Sequence, residues 1–181
     1  MIEIWKKTVE VQQHFNEICM KIRNLYVSTV TALIAVLGLI LWQPDEASRY
    51  LTFGELTFHA SALVFAGIFF ISMIFYFIDL HWYHRLLIGA VKNGIDIEDA
   101  GNEIPGLKLT KRIGEESPLN LNDGTFGSTI LGVMAGILQT DRKTQDEFRE
   151  GKLHSSAKLA VVYKSVAYLA AVMFFVSLIW A

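Results

Sequence analysis

The sequence predicts an all-α integral membrane protein with an N-terminal amphipathic helix, a transmembrane region of two to three helices, and a small helical cytoplasmic body with a loop-rich insert. Three observations predict this class. Of the 181 residues, 52% are hydrophobic, and the mean hydropathy is +0.38. The apolar residues fall into blocks of roughly the 17–25 residues that a helix needs to cross a bilayer. Lysine and arginine are concentrated in the segments that would then face the cytoplasm.

The composition excludes several classes of protein. A formal net charge of -2 gives no global attraction for nucleic acid or for an acidic substrate. The single cysteine, Cys19, excludes an intrachain disulfide framework and a cysteine-rich zinc module. We therefore expect Cys19 to be a small apolar residue on a helix face, and we predict no cofactor.

Residues 1–24 are predicted to form a cytoplasmic amphipathic helix that runs into the first span. Its apolar residues are spaced by alternating steps of three, four and seven, which is a heptad pattern: Ile4, Val11, Phe15, Ile18, Ile22 and Leu25. Two interpretations stay open. The helix lies on the membrane or on other cytoplasmic helices, or it forms a contact between subunits.

Three apolar blocks are predicted to cross the membrane. Residues 25–42 carry no charge, and residues 56–78 carry no formal charge, so these are transmembrane helices 1 and 2, joined by an external loop at 43–55. No small-residue cleavage site follows the first block, so we expect it to be retained rather than cleaved as a signal peptide. Residues 159–181 form a third span if Lys164 snorkels to the interface; the alternative is a buried hydrophobic helix.

The basic residues predict the orientation. Residues 1–24 contain four lysines and arginines, residues 43–55 contain only Arg49, and residues 79–158 contain ten. Because lysine and arginine are enriched on the cytoplasmic side, the N-terminus and the 79–158 region are expected to be cytoplasmic. The predicted location is the bacterial inner membrane, with several passes.

Within the cytoplasmic region, we expect a helix that continues from the second span and stops at Asn93-Gly94. The following loop-rich part is predicted to contain a short strand at 107–113. Residues 126–138 are apolar but too few to span, and their Gly132-x-x-x-Gly136 motif lets helix backbones approach closely. This segment is either a buried helix or a re-entrant or interfacial segment.

The motif His81-x-x-His84 could place two imidazoles on one helix face. Zinc takes three or four ligands, and no third ligand follows at a suitable spacing, so we predict no metal site. An aromatic and basic cluster belongs where a helix leaves a membrane. We therefore interpret these residues as the anchor that couples the second span to the cytoplasmic body: His81, Trp82, Tyr83, His84 and Arg85.

Arg149 and His154 match the R-x4-H spacing of HEPN ribonucleases, in which arginine and histidine from two subunits meet at an RNA phosphate. The competing interpretation is a solvated polar stretch, which Gly151 supports because it weakens a continuous helix. Glycine-rich phosphate loops and a nucleophile elbow are missing from the sequence. The prediction is that the protein is not an enzyme.

Six basic residues are candidates for binding an anionic ligand such as a nucleotide or an oligonucleotide: Lys92, Lys108, Lys111, Arg112, Arg142 and Lys143. Anionic lipid headgroups would require the same residues, so that alternative stays open.

The spans lack the carboxylates that proton relays and ion-coupled transport use. Three helices in one subunit cannot enclose a pore, but a symmetric ring of copies can. We therefore expect a homo-oligomeric pore with a cytoplasmic sensing region.

The stretch HFNEICMKIRN before the first span and the stretch DLHWYHRLLIGAVKNGIDIE after the second give a layout that resembles small membrane effectors of bacterial antiphage systems. One such effector is the Hailong-type channel; another is the pore-forming accessory protein of certain CRISPR loci. The resemblance implies an ion channel that depolarises the inner membrane during infection. Its partners would be membrane lipids, further copies of itself, and a nucleotide or oligonucleotide signal or a defence-system protein. The alternatives are a membrane-anchored HEPN-like ribonuclease and a non-conducting membrane scaffold.

Overall fold

The computed structural model describes residues 2–101, 108–138 and 142–179; at positions 53, 56 and 142–145 it describes the backbone only. Helices dominate these residues. They are α1 (Ile2–Trp42), α2 (Ser61–Tyr76), α3 (His84–Ala100), α4 (Leu109–Glu116), α5 (Phe126–Ile137), α6 (Arg142–Arg149) and α7 (Ser155–Ile179).

Two small antiparallel hairpins complete the described structure. In the first, β1 (Tyr50–Phe53) pairs with β2 (Leu56–His59) around a turn at Gly54, whose φ of 63° suits glycine. In the second, β3 (Leu119–Asn120) pairs with β4 (Lys152–Leu153), so that a residue before α5 meets one that follows α6.

Three helices are long and apolar enough to cross a membrane: α1, the continuous helix Ser61–Ala100, and α7. The continuous helix consists of α2, a seven-residue π-helical segment at Phe77–Tyr83, and α3. Its uncharged part ends at residue 78, because Asp79 is its first charged residue. The predicted class is confirmed: the chain is an all-α membrane protein.

The chain packs as two compact units. The body unit comprises Met1–Lys21 and Phe77–Val161, and the span unit comprises Ile22–Tyr76 and Val162–Ala181. Each of the three long helices therefore contributes residues to both units.

The span unit has a small core and a polar pair. Val64, Ile68 and Ala170 are buried together. Tyr26 Oη lies 3.0 Å from Ser72 Oγ. Because Ser72 uses its one hydrogen on the Ile68 carbonyl at 2.7 Å, Tyr26 must be the donor. The hydrogen bond pairs two hydroxyl groups that hydrocarbon would otherwise leave unsatisfied.

The second helix starts later than the predicted span at 56–78. Residues 56–59 pair with β1, and α2 begins at Ser61. The backbone N–H of Ser61 donates to His59 Nδ1 at 3.2 Å, which satisfies one of the free amides at the helix N-terminus. The connection predicted as an external loop therefore ends in a paired hairpin.

Helix α3 continues past Asn93-Gly94 to Ala100, so the predicted stop there is wrong. Gly94 is buried, and a Cβ at this position would collide with the side-chain amide of Gln12 and lie 3.2 Å from Thr110 Oγ1. The glycine leaves room for the side chains of Gln12 from α1 and Thr110 from α4, and it does not mark the end of the helix.

The predicted strand at 107–113 is also wrong where it is described. Leu109 begins an α-helix, and residue 107 lies outside the described residues. The period-two apolar pattern of this segment is compatible with the short α4, whose first amides are capped from a distant part of the chain, as described below.

Helix α1 buries only part of the heptad pattern. Ile4 is 63% and Val11 46% exposed, whereas three further heptad residues are half-buried: Phe15, Ile18 and Ile22. Thr8, Cys19 and Tyr26, which are not part of the pattern, are buried. Cys19 is buried on a helix face, as expected. The heptad residues that remain exposed lie beside the face that packs against α3.

The sequence leaves two alternatives open for residues 126–138, a buried helix and a re-entrant or interfacial segment, and α5 is not a fully buried helix. Ser128 and Ala135 are buried, but several large apolar side chains of α5 are exposed. A Cβ placed at Gly132 would lie 3.6 Å from the side chain of Leu121, and one placed at Gly136 would lie 3.5 Å from the side chain of Phe148. The glycine motif therefore lies against side chains of the body unit itself.

Candidate ligand-binding cleft

The body unit has a cleft of about 810 Å³ between α1, α3 and α4. This volume is in the range of roughly 300–1,000 Å³ that is typical of small-molecule sites. Residues of α1, α3 and α4 and of the start of α7 line the cleft. From α1 and α3 these include Val9, Gln13, Asn16, His84, Leu87, Val91, Lys92 and Ile95. The others include Ile113 in α4, Ser117 directly after it, and His154 and Ser155 at the start of α7. All three long apolar helices thus reach the cleft.

Side-chain hydrogen bonds fix α1 against α3 behind the cleft. Gln12 Nε2 donates to the Ala90 carbonyl at 3.1 Å, and Asn93 Nδ2 donates to Thr8 Oγ1 at 3.3 Å. Such pairs join positions more than seventy residues apart, so they can form only when the helices have packed. They determine which face of α1 is turned to the cleft.

Glu98 joins three helices at the end of the cleft. Its buried carboxylate accepts the Trp5 indole N–H at 3.1 Å, the Thr110 backbone N–H at 2.7 Å and the Lys111 backbone N–H at 3.0 Å. Thr110 and Lys111 are in the first turn of α4, where backbone amides lack partners within the helix. A carboxylate also suits the positive end of the helix dipole.

The environment of Glu98 sets its ionisation. Burial alone raises the pKa of its carboxyl, but the hydrogen bonds from Thr110, Lys111 and Trp5 together outweigh burial. The pKa of Glu98 is therefore held below its ordinary value, because these bonds favour the ionised form. Glu98 belongs to the structural frame of the cleft.

The cleft combines apolar walls with a few polar groups. Leu87, Val91 and Ile113 supply apolar surface, while Gln13 and Asn16 supply amide donors and acceptors. Among the described residues, Lys92 is the only lysine or arginine in the lining. The arrangement suits a ligand with a flat or apolar part, a hydrogen-bonding edge and one acidic group.

The predicted anion-binding residues are not gathered in this cleft. Lys92 lines it, but Lys108, Lys111 and Arg112 are not part of the lining. Lys111 Nζ lies 3.1 Å from Asp99 Oδ1 in an exposed ion pair. The side chains of the two remaining candidates, Arg142 and Lys143, lie outside the described part of the chain.

The predicted membrane anchor lies in and just after the π-helical segment. His81 is exposed and stacks on Phe77, with ring centroids 5.7 Å apart. Trp82 is exposed and Tyr83 half-buried.

After this segment, the first two residues of α3 differ in burial. Arg85 is exposed, whereas His84 is buried and lines the cleft. The two histidines of the motif are thus in different surroundings. Within the described residues, no group of three or more His, Cys, Asp or Glu side chains could hold a metal ion.

Arg149 and His154 are not on one helix. Helix α6 ends at Arg149, Gly151 turns the chain with φ 71°, and β4 precedes His154. Arg149 lines a groove of about 640 Å³ beside α5, whereas His154 lines the cleft. The backbone N–H of His154 donates to Glu147 Oε2 at 3.0 Å.

Sequence reasoning missed Glu98, Trp5 and the π-helical segment. In the sequence, Glu98 is one acidic residue among the polar residues of its helix, and nothing in the neighbouring residues marks it. Its hydrogen-bond partners, Trp5, Thr110 and Lys111, belong to other helices. A π-helical turn has no spacing signature that separates it from an α-helical one.

Comparison of the chain with protein-family models, with curated proteins and with solved structures found no match.

Proposed function

We propose that this protein is a homo-oligomeric channel of the bacterial inner membrane, gated by a small ligand that binds in the cleft of the body unit. One observation carries the proposal. The cleft is lined by residues of α1, of the continuous helix Ser61–Ala100, and of α7. A ligand in the cleft would therefore touch each of the three helices that are long and apolar enough to cross a membrane.

The coupling would pass along continuous helices. Packed helices move as rigid bodies with discrete arrangements, so a change at one end is felt along the helix. A ligand shifts the equilibrium between closed and open states only by its difference in affinity for them. The π-helical segment at Phe77–Tyr83 lies between the cleft residues of α3 and the apolar part of the same helix. Such segments are frequent at functional sites.

The channel itself would form between copies. The spans leave much apolar surface uncovered by their own chain, with Leu39 71% exposed, and lipid or neighbouring copies would cover it. One exposed face of α1 carries small or weakly polar residues at heptad spacing, Ser28, Thr31, Ala35 and Gly38. Small residues allow close helix packing, and hydroxyl groups would give a modest polar lining.

The lining of the cleft bears on the class of ligand. An oligonucleotide carries several phosphates, and recognition of each one commonly uses a lysine or an arginine. With Lys92 as its single lysine or arginine among the described residues, the cleft suits a small molecule with one acidic group and a hydrogen-bonding ring better than it suits an oligonucleotide. The role in antiphage defence that the layout suggests stays a prediction.

Ion flux through liposomes that contain the purified protein tests the proposal. We expect measurable flux that changes when Val91→Trp fills the cleft. The matched control is Leu86→Trp on the same helix, at an exposed position outside the cleft lining, and it should leave flux unchanged. Absence of flux from well-folded protein would refute the channel. Silence together with RNA cleavage would support the ribonuclease alternative.

A further inference from the structure

The exposed side of α5 is an apolar stripe without charge. Phe126 is 83% exposed, Val133 58% and Ile137 77%, and Ile130 is partly exposed between them. These residues follow one another by steps of four, three and four, so they lie on one side of the helix. Helix α5 contains no Asp, Glu, Lys or Arg. We propose that this stripe inserts into the lipid surface as an interfacial helix.

The opposite side of α5 is held by the body unit. Ala135 is buried with Leu153, Ala157 and Val161, and Leu131 packs against this cluster. Thr125 caps the helix, since its hydroxyl accepts the Ser128 backbone N–H at 3.2 Å. The stripe is thus presented by a firmly packed helix and is not formed by a loose segment.

The position of α5 along α7 indicates the bilayer as its partner. Ala157 and Val161 are on either side of Leu159, where the apolar run of α7 begins. Helix α5 therefore packs at the level where that helix becomes apolar enough to enter a membrane. An interfacial helix buries its apolar face only about 5–10 Å into the boundary between headgroups and acyl chains.

A guanidinium and a carboxylate lie at the edge of the stripe. Val133 and Ile137 share a groove with Arg149, which is exposed, and Glu150 lines the same groove. A guanidinium beside an inserted apolar stripe can hydrogen-bond two oxygens of one phosphate. Arg149 thereby acquires a role that does not depend on His154.

A second copy of the chain fits the stripe less well. Even an aromatic side chain buries only about 150–250 Å². Phe126 is the only aromatic residue of the stripe, and an aliphatic side chain buries about 60–120 Å² at roughly 25 cal/mol per Å². The four side chains together therefore fall short of the roughly 800 Å² per partner of a standard stable interface. A thin apolar stripe is sufficient for lipid contact, because the protein is already fixed in the membrane by its spans and the insertion costs no separate association step.

Fluorescence quenching in proteoliposomes tests the proposal with the full-length protein. The vesicles contain phosphatidylcholine and phosphatidylglycerol, with or without bromine on the acyl chains. A Cys19→Ala background carries one new cysteine for an environment-sensitive label. The positions are Val133→Cys in the stripe, Leu39→Cys in the first span, and Glu115→Cys on the exposed surface of α4.

We expect brominated lipid to quench the label at Val133 as strongly as the label at Leu39, and to leave the label at Glu115 unquenched. Quenching at Val133 no stronger than at Glu115 would overturn the proposal. So would an intermolecular disulfide in the unlabelled Val133→Cys protein together with an unquenched label in the labelled one, because a second copy would then cover the stripe.

A second variant guards against effects of the label. A label at Ile130→Cys should be quenched by brominated lipid, and adding Val133→Glu to this variant should abolish that quenching. Adding Val133→Glu to the Leu39→Cys variant should leave the quenching of its label unchanged. Persistent quenching would contradict insertion. Because these readouts need no ion flux, they can fail or succeed independently of the proposed channel.

Discussion

Glu98 Oε1 accepts the backbone N–H of Thr110 at 2.7 Å, twelve residues further along the chain. The contact caps a helix from outside its own sequence. It makes the frame of the cleft depend on one buried carboxylate.

Replacing Glu98 by glutamine should destabilise the body unit. The amide keeps one acceptor, but its NH₂ group turns donors toward the amides of α4, and the charge is lost. Hydrogen bonds to charged groups contribute roughly 1.5–3 kcal/mol, so we expect a loss of about that size in the free energy of unfolding. Denaturant titration of the protein in detergent micelles, followed by tryptophan fluorescence, measures this loss.

The matched control for that variant is Asp99→Asn on the same helix. Asp99 forms an exposed ion pair with Lys111, and such pairs contribute about 0–1 kcal/mol. Equal losses in the two variants would show that the carboxylate of Glu98 does not cap α4.

Stability should depend on pH through Glu98. Its pKa in the folded protein is lower than the ordinary value of 4.5. The unfolded chain therefore binds the proton more tightly, and the ionised group stabilises the fold above pH 4.5. This contribution is lost as the pH falls below 4.5 and through the folded-state pKa. Unfolding midpoints measured between neutral and acidic pH should fall less steeply for Glu98→Gln than for the original protein.

Gly94→Ala and Gly89→Ala should differ in sign although both are on α3. Alanine at an exposed helix position is favoured over glycine by about 1 kcal/mol, and nothing lies within 4 Å of a Cβ at Gly89. At Gly94 the same gain is opposed by displacement of the Gln12 amide from Ala90 and by the tight approach of Thr110. Thermal unfolding should show a stabilised Gly89→Ala and a Gly94→Ala that is neutral or destabilised.

A glycine inserted after Tyr83 should uncouple the cleft from the spans. The insertion follows the last residue of the π-helical segment and would rotate and weaken the helix at that point. Flux should persist but lose its response to Val91→Trp. A glycine inserted after Gly124, in an exposed turn with φ 63°, serves as the control, and a preserved response in both would refute the coupling.

The sequence predicted the membrane helices well because the relevant energy is local. Residues 25–42 carry no charge, and burying a charged side chain in hydrocarbon costs several kcal/mol whatever the rest of the chain does. The burial of Cys19 follows from an equally local preference.

The interior of the body unit was predicted less well because its geometry depends on residues far apart in the chain. Gly94 resembles a helix stop, yet it lies within α3. The glycine leaves room there for the side chains of Gln12 and Thr110. Lys108, Lys111 and Arg112 resemble a basic patch, yet of the predicted set with described side chains only Lys92 lines the cleft.

By itself, the sequence determined that this is an all-α membrane protein, since the residues of one continuous segment decide whether it is long and uncharged enough to cross a membrane. Only the tertiary structure decided which face of α1 is buried, that Glu98 caps α4, and that all three long helices line one cleft. The physical reason is that these features arise from hydrogen bonds and close packing between segments, and a single segment carries only one side of each contact.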